Sequence, residues 1–221
     1  MKMAGHQWPV IENIPSNQRI ARMPITSRYS ADLTAGSLKP RESRVIAGLL
    51  LDKATEEQWR TAIVGENRLQ SRTSATALRL SRLIRSRLEE FDDGLWLMVR
   101  DGSKPLATQA LLAAAVKDSA LLRDFLELVL REEHRLFRTH LSSGVWAPFL
   151  ELCQSRDPAM PVWREATRKR LRSSVFQILA QGGYLTDTTS RELRRVTILP
   201  ELQAYLEDRR EFSLLRTLQL S

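Results

Sequence analysis

Between Glu66 and Leu88 the chain reads ENRLQSRTSATALRLSRLIRSRL, and from Arg68 to Arg87 it holds six arginines and no aspartate or glutamate. Set at about 100° per residue, Arg68, Arg72, Arg79, Arg82 and Arg85 fan out along one side. Ala77, Leu80, Ile84, Leu88 and Phe91 gather on the other. A solvated helix ordinarily mixes charge signs, because opposite charges at i,i+4 stabilise it. A polar face of one sign predicts an anionic partner, and guanidinium forks match phosphate oxygens. The chemistry this pattern suits is recognition of a phosphate backbone.

A second candidate is TRKRLRSSVFQILAQGGYL, which reads as an amphipathic helix, a Gly-Gly stop and an apolar pair. Leu171, Val175 and Ile178 face inward, while Lys169, Arg170, Ser173 and Gln177 project outward. That outward set joins phosphate clamps to two side chains able to hydrogen-bond base edges. The segment beyond it carries Arg191, Arg194 and Arg195, which would touch the backbone if it formed the wing of a winged helix. The bland alternative is a last bundle helix with a basic solvated face.

Catalytic and metal chemistry find no footing. His134 and His140 are six apart, off the i,i+4 spacing that puts two ligands on one helix face. Cys153 sits in apolar FLELC and reads as a buried thiol. Gly102-Ser103-Lys104 lacks the upstream glycine of a phosphate loop and is followed by proline. Asp92-Asp93 and Glu132-Glu133 are sequence neighbours and so point to different faces. No constellation passes a geometry-first test for an active site, so no catalytic residue, metal ligand or cofactor is expected.

The elements that must position these residues follow from periodicity and breakers. Residues 1–26 carry Pro9, Pro15 and Pro24 and no apolar h-region, so they read as a poorly ordered lead or an arm laid along the surface, and not as a signal peptide. A short helix near Tyr29 stops at Gly36. Pro40 opens a helix over roughly 41–52. Thr55 with Gln58 makes a capping-box pattern for the next helix, which breaks at Gly65. The basic helix follows, capped by Ser71, Thr73 or Ser74. After Asp92-Asp93-Gly94 comes a short LWLMV helix. The Gly102–Pro105 break divides an N-terminal helical region (27–103) from a C-terminal one (104–221). There PLATQALLAAAVK is one helix, and Ser119 opens SALLRDFLELVLREEHRLFRTHL. VWAPFLELC and a helix from about Glu165 to Gln181 come next. A Thr-rich, β-tolerant run leads from Tyr184 to Leu199. Pro200 opens a last helix, followed by a tail. Short helices leading into a basic one over 41–88 suit a helix-turn-helix, although any three-helix bundle offers that order. The expected fold is all-α, a multi-helix protein with two helix-turn-helix-like elements, and it is left open whether a small β wing forms near the C-terminus.

Composition bounds the partners. The chain has 221 residues, 43% of them apolar, and a net charge of +8. Lysine occurs only at Lys2, Lys39, Lys53, Lys104, Lys117 and Lys169; arginine supplies the rest of the 34 basic residues. GC-rich coding and selection for bidentate phosphate contacts both produce that bias. The single cysteine allows no disulfide within the chain and suits a reducing cytoplasm. The apolar runs LLAAAV and GLLL fall far short of the roughly 20 residues that cross a bilayer. With no heptad seam, a monomer is the default.

Taken in order, several groups resemble the BrxA family of BREX (bacteriophage exclusion) phage-defence systems. They are Tyr29-Ser30-Ala31-Asp32-Leu33 with Gly36, Glu42-Ser43-Arg44 before Ala47-Gly48-Leu49-Leu50, Trp59, and Glu66-Asn67-Arg68-Leu69-Gln70. The Arg-Leu repeats to Arg87-Leu88, Gln109 with Leu112-Ala113, Asp124-Phe125, Trp146 with Phe149-Leu150, and Gly183-Tyr184-Leu185 complete the series. The resemblance spans about residues 28–208. It implies a cytoplasmic, all-helical protein that binds double-stranded DNA alongside other BREX subunits, and it carries over no catalytic residues. The expected function is thus a non-enzymatic DNA-binding accessory protein of a defence system. Its rivals are an adaptor whose basic faces dock acidic partner subunits, and an RNA-binding protein that grips duplex RNA by shape.

Overall fold

A computed structural model describes residues 27–220; the arm expected over 1–26 lies outside the described residues. Those residues are all-α, built around α5 (Lys104–Asp118), which is buried on every side from Ala110 to Val116. A helix that is apolar all round belongs in a core. The run LLAAAV, too short to span a bilayer, is that interior helix, and among the described residues no helix is long and apolar enough to cross a membrane. Packed on it are α1 (Pro40–Leu51), α3 (Ser74–Glu89), α4 (Asp93–Asp101), α6 (Ala120–Phe125), α10 (Pro200–Asp208) and α11 (Phe212–Gln219). One hydrophobic core runs from Tyr29 to Leu218. Gly102 lets the chain turn tightly between α4 and α5, since a Cβ there would lie 2.3 Å from the Met98 carbonyl oxygen.

Local signals place most helix starts. Pro40 occupies the first turn of α1, where its missing N–H costs no hydrogen bond. Thr55 and Gln58 form the full capping box of α2 (Glu56–Arg60), which continues as a π turn over Thr61–Gly65. Ser119 caps α6, which runs through a π turn (Leu126–Leu130) into α7 (Arg131–Arg135). α8 covers Trp146–Arg156, and α9 covers Glu165–Gln181 before the Gly182-Gly183 stop. Phe125 sits at the centre of an aromatic cluster, edge-on to Phe149 at 5.0 Å and 5.7 Å from Trp146.

Three expectations are corrected. The helix expected near Tyr29 is a single 3-10 turn, Asp32–Ala35, closed by Gly36 at φ 112°. The helix opened by Ser119 ends at Arg135, because Phe137 turns left-handed at φ 54° and the Arg138 N–H bonds back to the Glu133 carbonyl. The expected tail folds as α11, because it buries Leu214, Leu215 and Leu218 and the Tyr184 hydroxyl donates to the Leu218 carbonyl.

From Tyr184 to Leu199 the chain doubles back. It forms the isolated antiparallel bridges Leu185 to Leu193 and His140 to Glu192. No strand forms among the described residues.

Candidate nucleic-acid interface

The basic helix begins with a rigid turn. Asn67 is left-handed at φ 47°, a conformation its short amide side chain tolerates. That side chain accepts from the Ser71 N–H and donates to the Ser71 carbonyl, both at 3.0 Å. The Thr73 hydroxyl then caps α3 by accepting from the Thr76 N–H at 3.2 Å, which selects one of the three capping residues the sequence offered.

The six arginines of this stretch have four different environments. Arg72, Arg79 and Arg82 are exposed, and no hydrogen bond or ion pair holds their side chains among the described residues. Arg68 lies in the turn ahead of α3 and pairs with Glu66 at 2.5 Å. Arg85 is half-buried over the Trp59 ring at 4.6 Å and pairs with Glu89 and Glu56 at 2.7 and 3.2 Å. Arg87 points inward, only 4% exposed, toward Asp118 at 3.6 Å. Arg41, which sequence reasoning missed, joins the edge of this face from α1 through a 3.2 Å hydrogen bond to Gln70. Its position just inside the first turn of α1 gave no sign of that neighbour.

On α9 the inward set is confirmed: Leu171, Val175 and Ile178 are buried. Arg170, Ser173 and Gln177 are exposed, with no side-chain partner among the described residues. Lys169 sits 3.8 Å from Glu165 one turn earlier. Both α3 and α9 pack on the Asp32–Ala35 turn. The residues just after it tie to each helix, since the Leu38 N–H donates to Gln181 at 2.9 Å and Arg87 donates to the Ser37 carbonyl at 3.3 Å.

The third set divides. Arg194 and Arg195 are exposed, whereas Arg191 is half-buried at φ 53°, with its Nε out of solvent and without a hydrogen-bond partner among the described residues. Sequence reasoning missed Arg131 and Phe137 and weighed His134 only as a metal ligand; all three border a cleft shared with Arg195. The signal for them was an aromatic set among basic residues in REEHRLFR.

Exposed basic side chains thus stand on two helices and one connecting segment. Comparison with known proteins identifies the family. The BrxA family model matches residues 27–210. The BREX protein BrxA of Paramagnetospirillum magneticum is 50% identical over 194 residues, covering 88% of this chain and 98% of that one. The BREX protein BrxA of Escherichia coli is 34% identical over 179 residues, covering 81% and 84%. A crystal structure of a Magnetospirillum magneticum protein superposes with a TM-score of 0.82 at 48% identity, over 88% of this chain and all of that one. By family match and by identity over most of its length, this chain belongs to the BrxA family.

Proposed function

We propose that this protein is a non-enzymatic, DNA-binding accessory subunit of a BREX anti-phage system, acting with other BREX proteins in the cytoplasm. The names carried by its relatives support the defence role. The observation that carries the DNA reading is the state of Arg72, Arg79 and Arg82: exposed, of one sign, and unpaired among the described residues. Guanidinium groups already held by carboxylates would gain little from phosphate. These three keep their full hydrogen-bonding capacity for it.

The test is a gel shift on duplex DNA across a salt series. About 4–8 phosphate contacts give a slope of log K against log salt of roughly −4 to −7. Reversing Arg79 and Arg82 to glutamate weakens binding to every sequence alike and flattens that slope. A complex indifferent to salt, or unmoved by the double reversal, sinks the reading. Duplex RNA of the same sequence, run beside the DNA, identifies an RNA-binding protein if it binds more tightly.

A further inference from the structure

Away from α3, a cleft of about 750 Å³ opens between the end of α7, the segment after Arg194 and the end of α11. Among the described residues no acidic side chain lines it. Arg131, His134 and Arg195 do, and Phe137 stands at its border. Glu132 and Glu133 line a separate groove with Leu128 and Pro148, and Glu132 neutralises Arg135, a further lining residue of the cleft, through two 2.7 Å hydrogen bonds.

Two buried side-chain nitrogens, Arg131 Nε and His134 Nε2, have no hydrogen-bond partner among the described residues. Buried polar nitrogens are ordinarily satisfied, and an unsatisfied pair calls for an explanation. Arg195 has no ion pair among the described residues either. Burial first, and then the charge of Arg195, hold the His134 pKa below its ordinary value.

Phe137 is the second observation. It is 84% exposed and occupies the left-handed position that closes α7. The Phe137 N–H bonds to the His134 carbonyl and the Arg138 N–H to the Glu133 carbonyl, the pattern in which glycine is the usual residue. A bulky aromatic there is strained and buries little of its ring, so the fold gains little from it.

We infer that this cleft takes one unstacked nucleotide, its phosphate on Arg131, His134 and Arg195 and its base stacked on Phe137. Stacking on an exposed aromatic beside a basic groove is how single-stranded nucleic acid is commonly gripped without sequence preference. The inference deepens the nucleic-acid reading, but it rests on other residues than those of α3.

Binding of a fluorescent hexathymidylate to the full chain tests it, with dTMP and inorganic phosphate as competitors. Phe137→Gly removes the ring and relieves the backbone, so its thermal midpoint holds or rises while affinity falls about tenfold or more. Arg195→Ala lowers affinity with the fold intact, and dTMP competes better than inorganic phosphate. Unchanged hexathymidylate binding in both variants overturns the proposal. Equal competition by phosphate and dTMP overturns the stacked base. Phe137→Gly leaves duplex binding through α3 in place, whereas the Arg79 and Arg82 reversals leave hexathymidylate binding in place, so the two readings fail separately.

Discussion

Arg79 and Arg87 share one helix and do opposite jobs. At 100° per residue Arg87 falls among Leu80, Ile84 and Leu88, so its inward direction was legible from spacing even though its residue type suggested solvent. In the fold it is 4% exposed, with Asp118 at 3.6 Å and the Ser37 carbonyl at 3.3 Å as partners. Burial lowers its pKa, while burial of Asp118 raises that carboxyl above its ordinary value despite the attraction of Arg87. Both charges therefore depend on each other. Breaking such a pair from one side costs more than the pair contributes, because the remaining charge stays poorly solvated. Arg87→Ala is expected to lose about 3 kcal/mol in urea unfolding. Duplex affinity per folded molecule stays at the wild-type level, since Arg87 reaches no ligand. The pairing itself was not readable: Asp118 and Ser37 lie far from Arg87 in sequence, and only the packing of α5 and the 3-10 turn on α3 brings them together.

At the scale of elements, α3 must stay helical while carrying arginines with no acids between them. It draws on a buried stripe of Ala77, Ile84 and Leu88 and on the Thr73 cap. Thr73→Ala exposes an unsatisfied N–H at a helix end that also presents Arg72, and is expected to cost about 1 kcal/mol. Denaturant unfolding measures this, with helicity by circular dichroism nearly unchanged in native buffer. Elements with a local start signal were legible throughout: Pro40 for α1, Thr55 and Gln58 for α2, Ser119 for α6, Pro200 for α10, and Gly-Gly for the end of α9. The elements set by distant partners were not. The segment after Tyr184 has its register fixed by the Leu193 N–H to the Thr139 carbonyl and the Leu141 N–H to the Arg191 carbonyl, at 2.8 and 2.9 Å. No local pattern announces those contacts. The same holds for α11, whose LLRTLQL run reads as a tail until the buried Tyr184 gives it a surface to close.

At the scale of the molecule, the question is what joins the helices before Gly102 to those after it. The shared core is the larger part of the answer; Asp92 supplies a polar part. It caps α4 by accepting from the Gly94 N–H at 3.1 Å. The same carboxylate accepts from the Tyr205 hydroxyl at 2.7 Å and pairs with Arg209, so α4 and the end of α10 close on one side chain. Burial would raise its pKa, but the Tyr205 hydrogen bond and the Arg209 charge outweigh it and hold the pKa below the ordinary 3.8. A depressed folded-state pKa contributes stability above the unfolded value and loses it as pH falls through the folded one. Asp92→Asn should therefore lower the thermal midpoint at pH 7 by about 2–4 °C, the effect of roughly 1 kcal/mol for a half-exposed group in a chain of this size. As the pH drops below 3.8 the wild type protonates Asp92 and the two midpoints converge. Asp101, Asp157 and Asp187 also sit below their ordinary range, so both proteins lose stability in acid and only the difference between them reports Asp92. Because one core spans the Gly102 turn, each protein melts in a single transition and the shift moves all of it. A variant whose first half melts ahead of the second would show that the polar contact, and not the core, holds the two parts together.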